Sequence, residues 1–385
     1  MPQKNIYKNF HEYCDIYISR LLGTVGFDVL NPNFRLTPLT YFVILDTFSF
    51  LFINGYNILV LSKDIKSTCY NFLTYCFGFI MIGRIANGLI NTKMFQKLRD
   101  VMFSFTFDED TEGEELEKYL WYGKTSKILG SIGMTFALVA NVLFIVPPLV
   151  IWFATGRQQL SFGLFLSVIE ADSSAGFFCN YIYDTFQGLF VPQALIGYLN
   201  MNLLYVICAC FQLDVLVIKL QKLDKQLRFT DFGKKSKRDE ICEILKLHQE
   251  LNEYLAAVEE LYVLESFNSI LFFILGIALG LFICVKEIWV VGYLIIVPCS
   301  YMIFINSLFG VAIEIKSDTL VRTIYAIQWH LMTVEDKKLM LQFLQAAQNP
   351  VQLSYGGLFP LNLESFSKIC KSIYTYLMFL RDMDV

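Results

Sequence analysis

The chain has 385 residues, of which 55% are hydrophobic, 16% aromatic and only 17% charged, with a net charge of −4. Soluble domains are about 45–50% apolar, so this composition excludes an ordinary soluble domain and points to a membrane protein. No nucleic-acid partner is expected.

Lys4, Lys8, His11, Glu12, Asp15 and Arg20 interrupt the opening stretch, so no apolar signal-peptide core can be drawn there. Residues 1–40 read as a cytoplasmic N-terminal segment. Runs of about 20 apolar residues, the length that crosses hydrocarbon, follow at Tyr41–Ser62, Ser67–Ile90, Ile128–Phe153, Gly188–Leu213, Ser266–Val285 and Ile288–Ile313. A seventh, near Phe359–Leu380, carries three charges and escapes a hydropathy scan. Residues 41–313 thus predict a six-helix transmembrane bundle, 314–353 an amphipathic anchor helix and 354–385 the seventh helix.

Within the bundle region, residues 214–265 read as a helical extension beyond the membrane. Leu216, Leu220, Leu223 and Leu227, then Ile241, Ile244, Leu251, Leu255 and Val258, recur at three-to-four spacing around the break Asp231–Lys237. In the seventh helix, Glu364, Lys368, Lys371, Ser372, Thr375 and Asp382 share one face, while Phe366, Ile369, Ile373, Tyr376, Leu377 and Leu380 cover the other. Such a helix is built to touch water inside a bilayer.

Charge sets the orientation. With the N-terminus inside, 23 of the 31 Lys and Arg fall in internal segments and only Lys63, Lys66, Arg157 and Lys286 in external loops. The positive-inside rule then places the N-terminus in the cytoplasm and, after seven crossings, the C-terminus outside. The fold class is therefore an all-α membrane protein of seven transmembrane helices with cytoplasmic extensions forming an anchor. This topology is the reverse of a G-protein-coupled receptor, and neither an acidic-Arg-Tyr triplet nor Asn-Pro-x-x-Tyr occurs in the expected spans. A metabotropic seven-helix receptor is the alternative reading.

Two intramembrane charges stand out. Asp46 and Arg84 lie at similar depth from the cytoplasmic ends of the first and second spans and can pair, either as a structural ion pair or as a functional site. Enzyme signatures are absent: there is no Walker loop, Gly-x-Ser-x-Gly or His-Glu-x-x-His. Cys208-x-Cys210 lacks partners at ligand spacing, so neither a metal nor another cofactor is expected. A Cys69–Cys179 disulfide is topologically allowed.

The closing run QNPVQLSYGGLFPLNLESFSKICKSIYTYLMFLR resembles the end of insect odorant receptors: a polar helix, a small-residue break, a Phe-Pro-Leu-x-Leu-x-x-Phe start and a Thr-Tyr core. The related gustatory receptors prefer a Thr-Tyr followed after five residues by Gln-Phe, whereas here Thr375-Tyr376 precedes LMFLRDM. The resemblance implies an odour-gated, non-selective cation channel in the plasma membrane of sensory dendrites. It further implies an odour-tuning subunit that assembles with a co-receptor as a hetero-tetramer. By the same resemblance, pore and gate positions fall on Thr375, Phe379, Asp382 and Met383. A small volatile ligand is expected in the outer half of the bundle, near Tyr75, Asn141, Phe144 and Tyr198.

Overall fold

The computed structural model describes residues 18–61, 65–106, 113–156, 160, 174–228, 234–286 and 290–383. In chain order the helices are α1 (Arg20–Thr24), α2 (Pro38–Tyr56, continued by a π turn over Asn57–Leu61), α3 (Ile65–Ile90), α4 (Thr92–Thr106), α5 (Glu114–Thr155), α6 (Ser174–Arg228), α7 (Lys234–Lys286) and α8 (Val290–Ala326). A 3₁₀ turn (Trp329–Leu331), α9 (Val334–Ala347), the strands β1 (Ser354–Tyr355) and β2 (Phe359–Pro360) and α10 (Leu363–Met383) complete the chain. β1 and β2 pair antiparallel, with Ser354 opposite Pro360 and Tyr355 opposite Phe359.

Among the described residues six helices, α2, α3, α5, α6, α7 and α8, are long and apolar enough to cross a membrane, and they coincide with the first six predicted spans. α6 is the axis of the bundle, since 89% of its most apolar stretch is buried against 17% in α5. Large side chains on the outer face of α5, including Ile132, Phe136, Val142 and Phe153, are exposed, as a lipid-facing helix requires. α2 begins where a Thr37–Thr40 capping box and Pro38 satisfy or remove the orphan amides of the first turn.

At 55 residues, α6 is roughly 80 Å long by the helical rise, far more than the ~30 Å of hydrocarbon. The excess is the predicted extension, and it is continuous with the span. Leu216, Leu220, Leu223 and Leu227 pack with Ile241, Ile244, Leu251 and Leu255 of α7, Leu320 and Ile324 of α8, and Phe343 of α9, all buried in one core cluster. A helical base is thus built from the same helices that form the bundle.

Segment 314–353, expected as one anchor helix, is divided. α8 ends at Ala326, where the Gln328 amide donates to Asp224 Oδ1 of α6 at 2.9 Å, and α9 starts afresh where Thr333 accepts from the Asp336 amide. The seventh helix also begins later than expected. Phe359 and Pro360 are strand, and Asn362 caps α10 by accepting from the Ser365 amide at 2.8 Å.

In the base, His248 of α7 is 6% exposed and meets the Phe343 ring of α9 edge-on, with centroids 4.9 Å apart. Burial pushes its pKa down from 6.5 to about 4. The folded state therefore resists the proton that the unfolded chain accepts, so stability is complete above pH 6.5 and is lost as pH falls toward 4. Melting temperature is expected to drop across that window, and His248→Phe to flatten the drop. An unchanged slope in the variant would remove His248 as its cause.

Candidate functional site

α10 buries one face and leaves the other open. Ile369 and Ile373 are buried in the core cluster, with Phe366, Leu377 and Leu380 packed against it, and Phe366 meets Phe304 of α8 at 5.3 Å. The opposite side exposes Lys368, Lys371, Thr375, Phe379 and Asp382. Tyr376, expected on the packed face, is 48% exposed. The Glu364–Lys368 pair at 2.7 Å lies on the surface, where it stabilises the helix little. The side chain of Met383 lies outside the described residues.

The hairpin before α10 is seated on the bundle. The Ser354 amide donates to Glu259 Oε2 of α7 at 2.8 Å and its hydroxyl to Glu259 Oε1, while the Tyr355 hydroxyl donates to the Ile303 carbonyl of α8 at 3.0 Å. Gly356, at φ +66°, turns the chain against Phe267. Gly310 of α8 lies so close to the hairpin's exit that a Cβ there would stand 1.7 Å from the Leu361 carbonyl oxygen. The start of the charged helix is thereby tied to α7 and α8.

Behind the hairpin sits a cavity of ≈ 40 Å³ bordered by Arg84, Asn202, Tyr262, Glu265, Asn306 and Ser354, large enough for ordered water. Arg84 Nε donates to Glu265 Oε1 at 2.9 Å, and Nη1 donates to the Ala194 and Leu195 carbonyls of α6 at 3.2 and 3.0 Å. Ser269 donates to the same Glu265 oxygen at 2.8 Å. Both side chains are 8% exposed, so α3, α6 and α7 are joined through a desolvated ion pair.

The expected Asp46–Arg84 pair is thus not formed. Asp46 Oδ2 instead accepts from Gln187 Nε2 of α6 at 2.7 Å. Similar depth along two helices does not make two side chains face each other, and Arg84 points to the α6–α7 side of α3. Cys69 and Cys179, whose bridging the topology allowed, are both free thiols, one buried and one exposed.

The family model described as 7tm Odorant receptor matches residues 64–374. The chain belongs to the odorant receptor family. Among its relatives, odorant receptor 10 of Aedes albopictus is 22% identical over 275 residues, covering 68% of this chain and 69% of the relative. Odorant receptor 30a of Drosophila melanogaster is 24% identical over 232 residues, covering 58% and 60%. The solved structure of the insect olfactory receptor OR5 from Machilis hrabei, in complex with eugenol, superposes with a TM-score of 0.81 at 14% identity. That superposition covers 97% of this chain and all of the other, a likeness of fold. The protein is accordingly a multi-pass membrane receptor and not an enzyme.

The odorant receptor commits two of its four expected ligand residues to hydrogen bonds between helices. Tyr75 meets Phe79 edge-on at 4.8 Å, and Phe79 stacks on Phe272 of α7 at 4.8 Å. Phe144 packs against Phe50 of α2 beside Tyr183. Asn141, with its amide turned to satisfy both ends, donates to the Gly188 carbonyl at 2.9 Å and accepts from Gln193 at 2.6 Å. Pro192 has no amide proton to offer Gly188, so Asn141 supplies the donor that this carbonyl lacks. The Tyr198 hydroxyl donates to the Arg84 carbonyl at 2.6 Å, and its ring lies 5.2 Å from the guanidinium. Asn141 and Tyr198 therefore join helices. Glu265 and the hairpin seat escaped the sequence reading, although Glu265 closes the extension at the depth where Arg84 needs an anion.

Proposed function

We propose that this odorant receptor is a subunit of an odour-gated, non-selective cation channel, assembled with a co-receptor as a hetero-tetramer and placed in sensory dendrites with its N-terminus cytoplasmic. The observation that carries the proposal is α10. It is a membrane-length helix with Ile369 and Ile373 buried on the bundle and Lys371, Thr375, Phe379 and Asp382 on an open face. Charges at that depth are tolerated where they line water and not lipid. Phe379, 61% exposed between Thr375 and Asp382, supplies an apolar ring that gates by dewetting, and Asp382 an anionic mouth that concentrates cations.

The ligand in this reading is a small volatile molecule held by apolar area in the outer bundle, with Tyr75 and Phe144 as its aromatic contacts. The eugenol bound by OR5 of Machilis hrabei supports that chemical class. Coexpression with the co-receptor tests the assignment: Phe379→Ser is expected to raise ligand-free current several-fold, and Asp382→Asn to lower calcium permeability relative to sodium. Unchanged currents in both variants would take the pore away from α10. An epitope tag at the N-terminus that antibodies reach on intact cells would overturn the orientation and favour a metabotropic receptor.

A further inference from the structure

Asp46 is a membrane carboxylate left without a cation. Among the described residues no Lys, Arg or His pairs with it, because the arginine at its depth is committed to Glu265. It is 9% exposed, and among the described residues the carboxylate's hydrogen-bonding partner is the Gln187 amide on Oδ2. Oδ1 accepts no hydrogen bond from any described residue. A charge in this setting is costly unless an opposite charge meets it, and an intramembrane carboxylate is by default a site for a partner.

A small space lies beside it. A cavity of ≈ 10 Å³ touches Asp46 and is walled by Thr47, Phe50, Met81, Gln187 and Phe190. That volume admits one water-sized group, and an ammonium head is of that size. Asp46, Thr47 and Gln187 are the polar residues of the cavity lining. Phe50 and Phe190 line it as well, and aromatic rings are neighbours that a cation tolerates. Beyond the head, the surroundings turn apolar: Phe190 meets Phe42 at 6.0 Å, and Phe50 packs on Phe144, one of the proposed ligand contacts. Met81 adapts readily to an alkyl or aryl tail.

We propose that Asp46, assisted by Gln187, receives the protonated head of a primary amine ligand whose apolar tail lies among Phe50, Phe144 and Phe190. This rests on reading the receptor as one that binds small volatile molecules, and it names their chemical class. A neutral alcohol of the same shape fills the same space but brings no charge to the carboxylate. Charge-assisted hydrogen bonds outweigh neutral ones by about the tenfold in affinity that separates the two probes in this account.

The test compares 2-phenylethylamine and hexylamine with 2-phenylethanol and 1-hexanol on the full-length receptor in lipid nanodiscs, reading ligand-induced thermal stabilisation. The amines are expected to act at about tenfold lower concentration than the alcohols. Asp46→Asn, which keeps the acceptor for Gln187, is expected to erase that preference while leaving stabilisation by the alcohols intact. Asp46→Glu is expected to retain it in part. Equal potency of amine and alcohol in the unmodified receptor, or a preference that survives Asp46→Asn, would overturn the proposal whether or not the variant folds well. The readout is binding, so amine preference without evoked current with the co-receptor counts against the channel reading alone. Current evoked by alcohols without amine preference counts against this site alone.

Discussion

Gly310→Val is expected to abolish ligand-evoked current and to lower the melting temperature of the receptor. The Cβ of even the smallest replacement would stand 1.7 Å from the Leu361 carbonyl oxygen and 2.6 Å from Leu361 Cβ, far inside van der Waals contact. The obstacle is backbone on both sides, so no rotamer change relieves it. Either α8 shifts within a close-packed bundle or the hairpin leaves its seat, and overpacking of this kind costs about 3 kcal/mol or more. The second outcome also breaks the bonds from Ser354 to Glu259 and from Tyr355 to the Ile303 carbonyl. α10 would then start from an unanchored turn. Gly123→Ala is the matched control: Gly123 lies in α5 with no atom within 4 Å of its added Cβ, and that change is expected to be neutral or slightly stabilising. Equal melting temperatures for Gly310→Val and the unmodified receptor would show that the hairpin does not need this contact.

Much of the fold was legible because lipid imposes a coarse rule. Apolar length alone marks α2, α3, α5, α6, α7 and α8, and the heptad-like spacing from Leu216 onward marks the base that α6, α7 and α9 build together. The two faces of α10 were readable for the same reason: Ile369 and Ile373 recur at helical spacing and are buried, whereas Lys371 and Thr375 are not. The hairpin was hidden because strands of two residues carry no periodicity, and their stability comes from Glu259 and Ile303, roughly 50 to 100 positions away in the chain. The ligand contacts were half legible. An aromatic or an amide in a span announces a place worth attention, but not whether a helix already uses it. Asn141 is claimed by the carbonyl that Pro192 frees, a signal present in the sequence as a proline four residues after Gly188. Tyr198 is claimed by Arg84, which only the packing of α3 on α6 reveals.

Arg84 and Glu265 make the second strong case, since helix depth predicted that Arg84 needs an anion and packing decided which one. Removing one member of a buried pair leaves the other charge desolvated, a loss of about 3–5 kcal/mol. Arg84→Met is expected to fall in that range, because it strands Glu265 and also removes the donor that reaches the Ala194 and Leu195 carbonyls. Arg84→Lys is expected to rescue little, since a single ammonium cannot span Glu265 and two carbonyls of α6 at once. Glu265→Gln is expected to cost less than Arg84→Met, because the amide oxygen still accepts from Arg84 and Ser269 in place. The double variant Arg84→Met with Glu265→Met removes both charges and is expected to recover most of the stability lost by either truncation, as apolar replacements of buried pairs do. Melting temperatures of the unmodified receptor, Arg84→Met, Glu265→Met and the double variant close a double-mutant cycle. Additive losses would mean that the two side chains act independently, and the joint between α3, α6 and α7 would then have to rest on the Tyr198 hydroxyl and the surrounding apolar contacts instead.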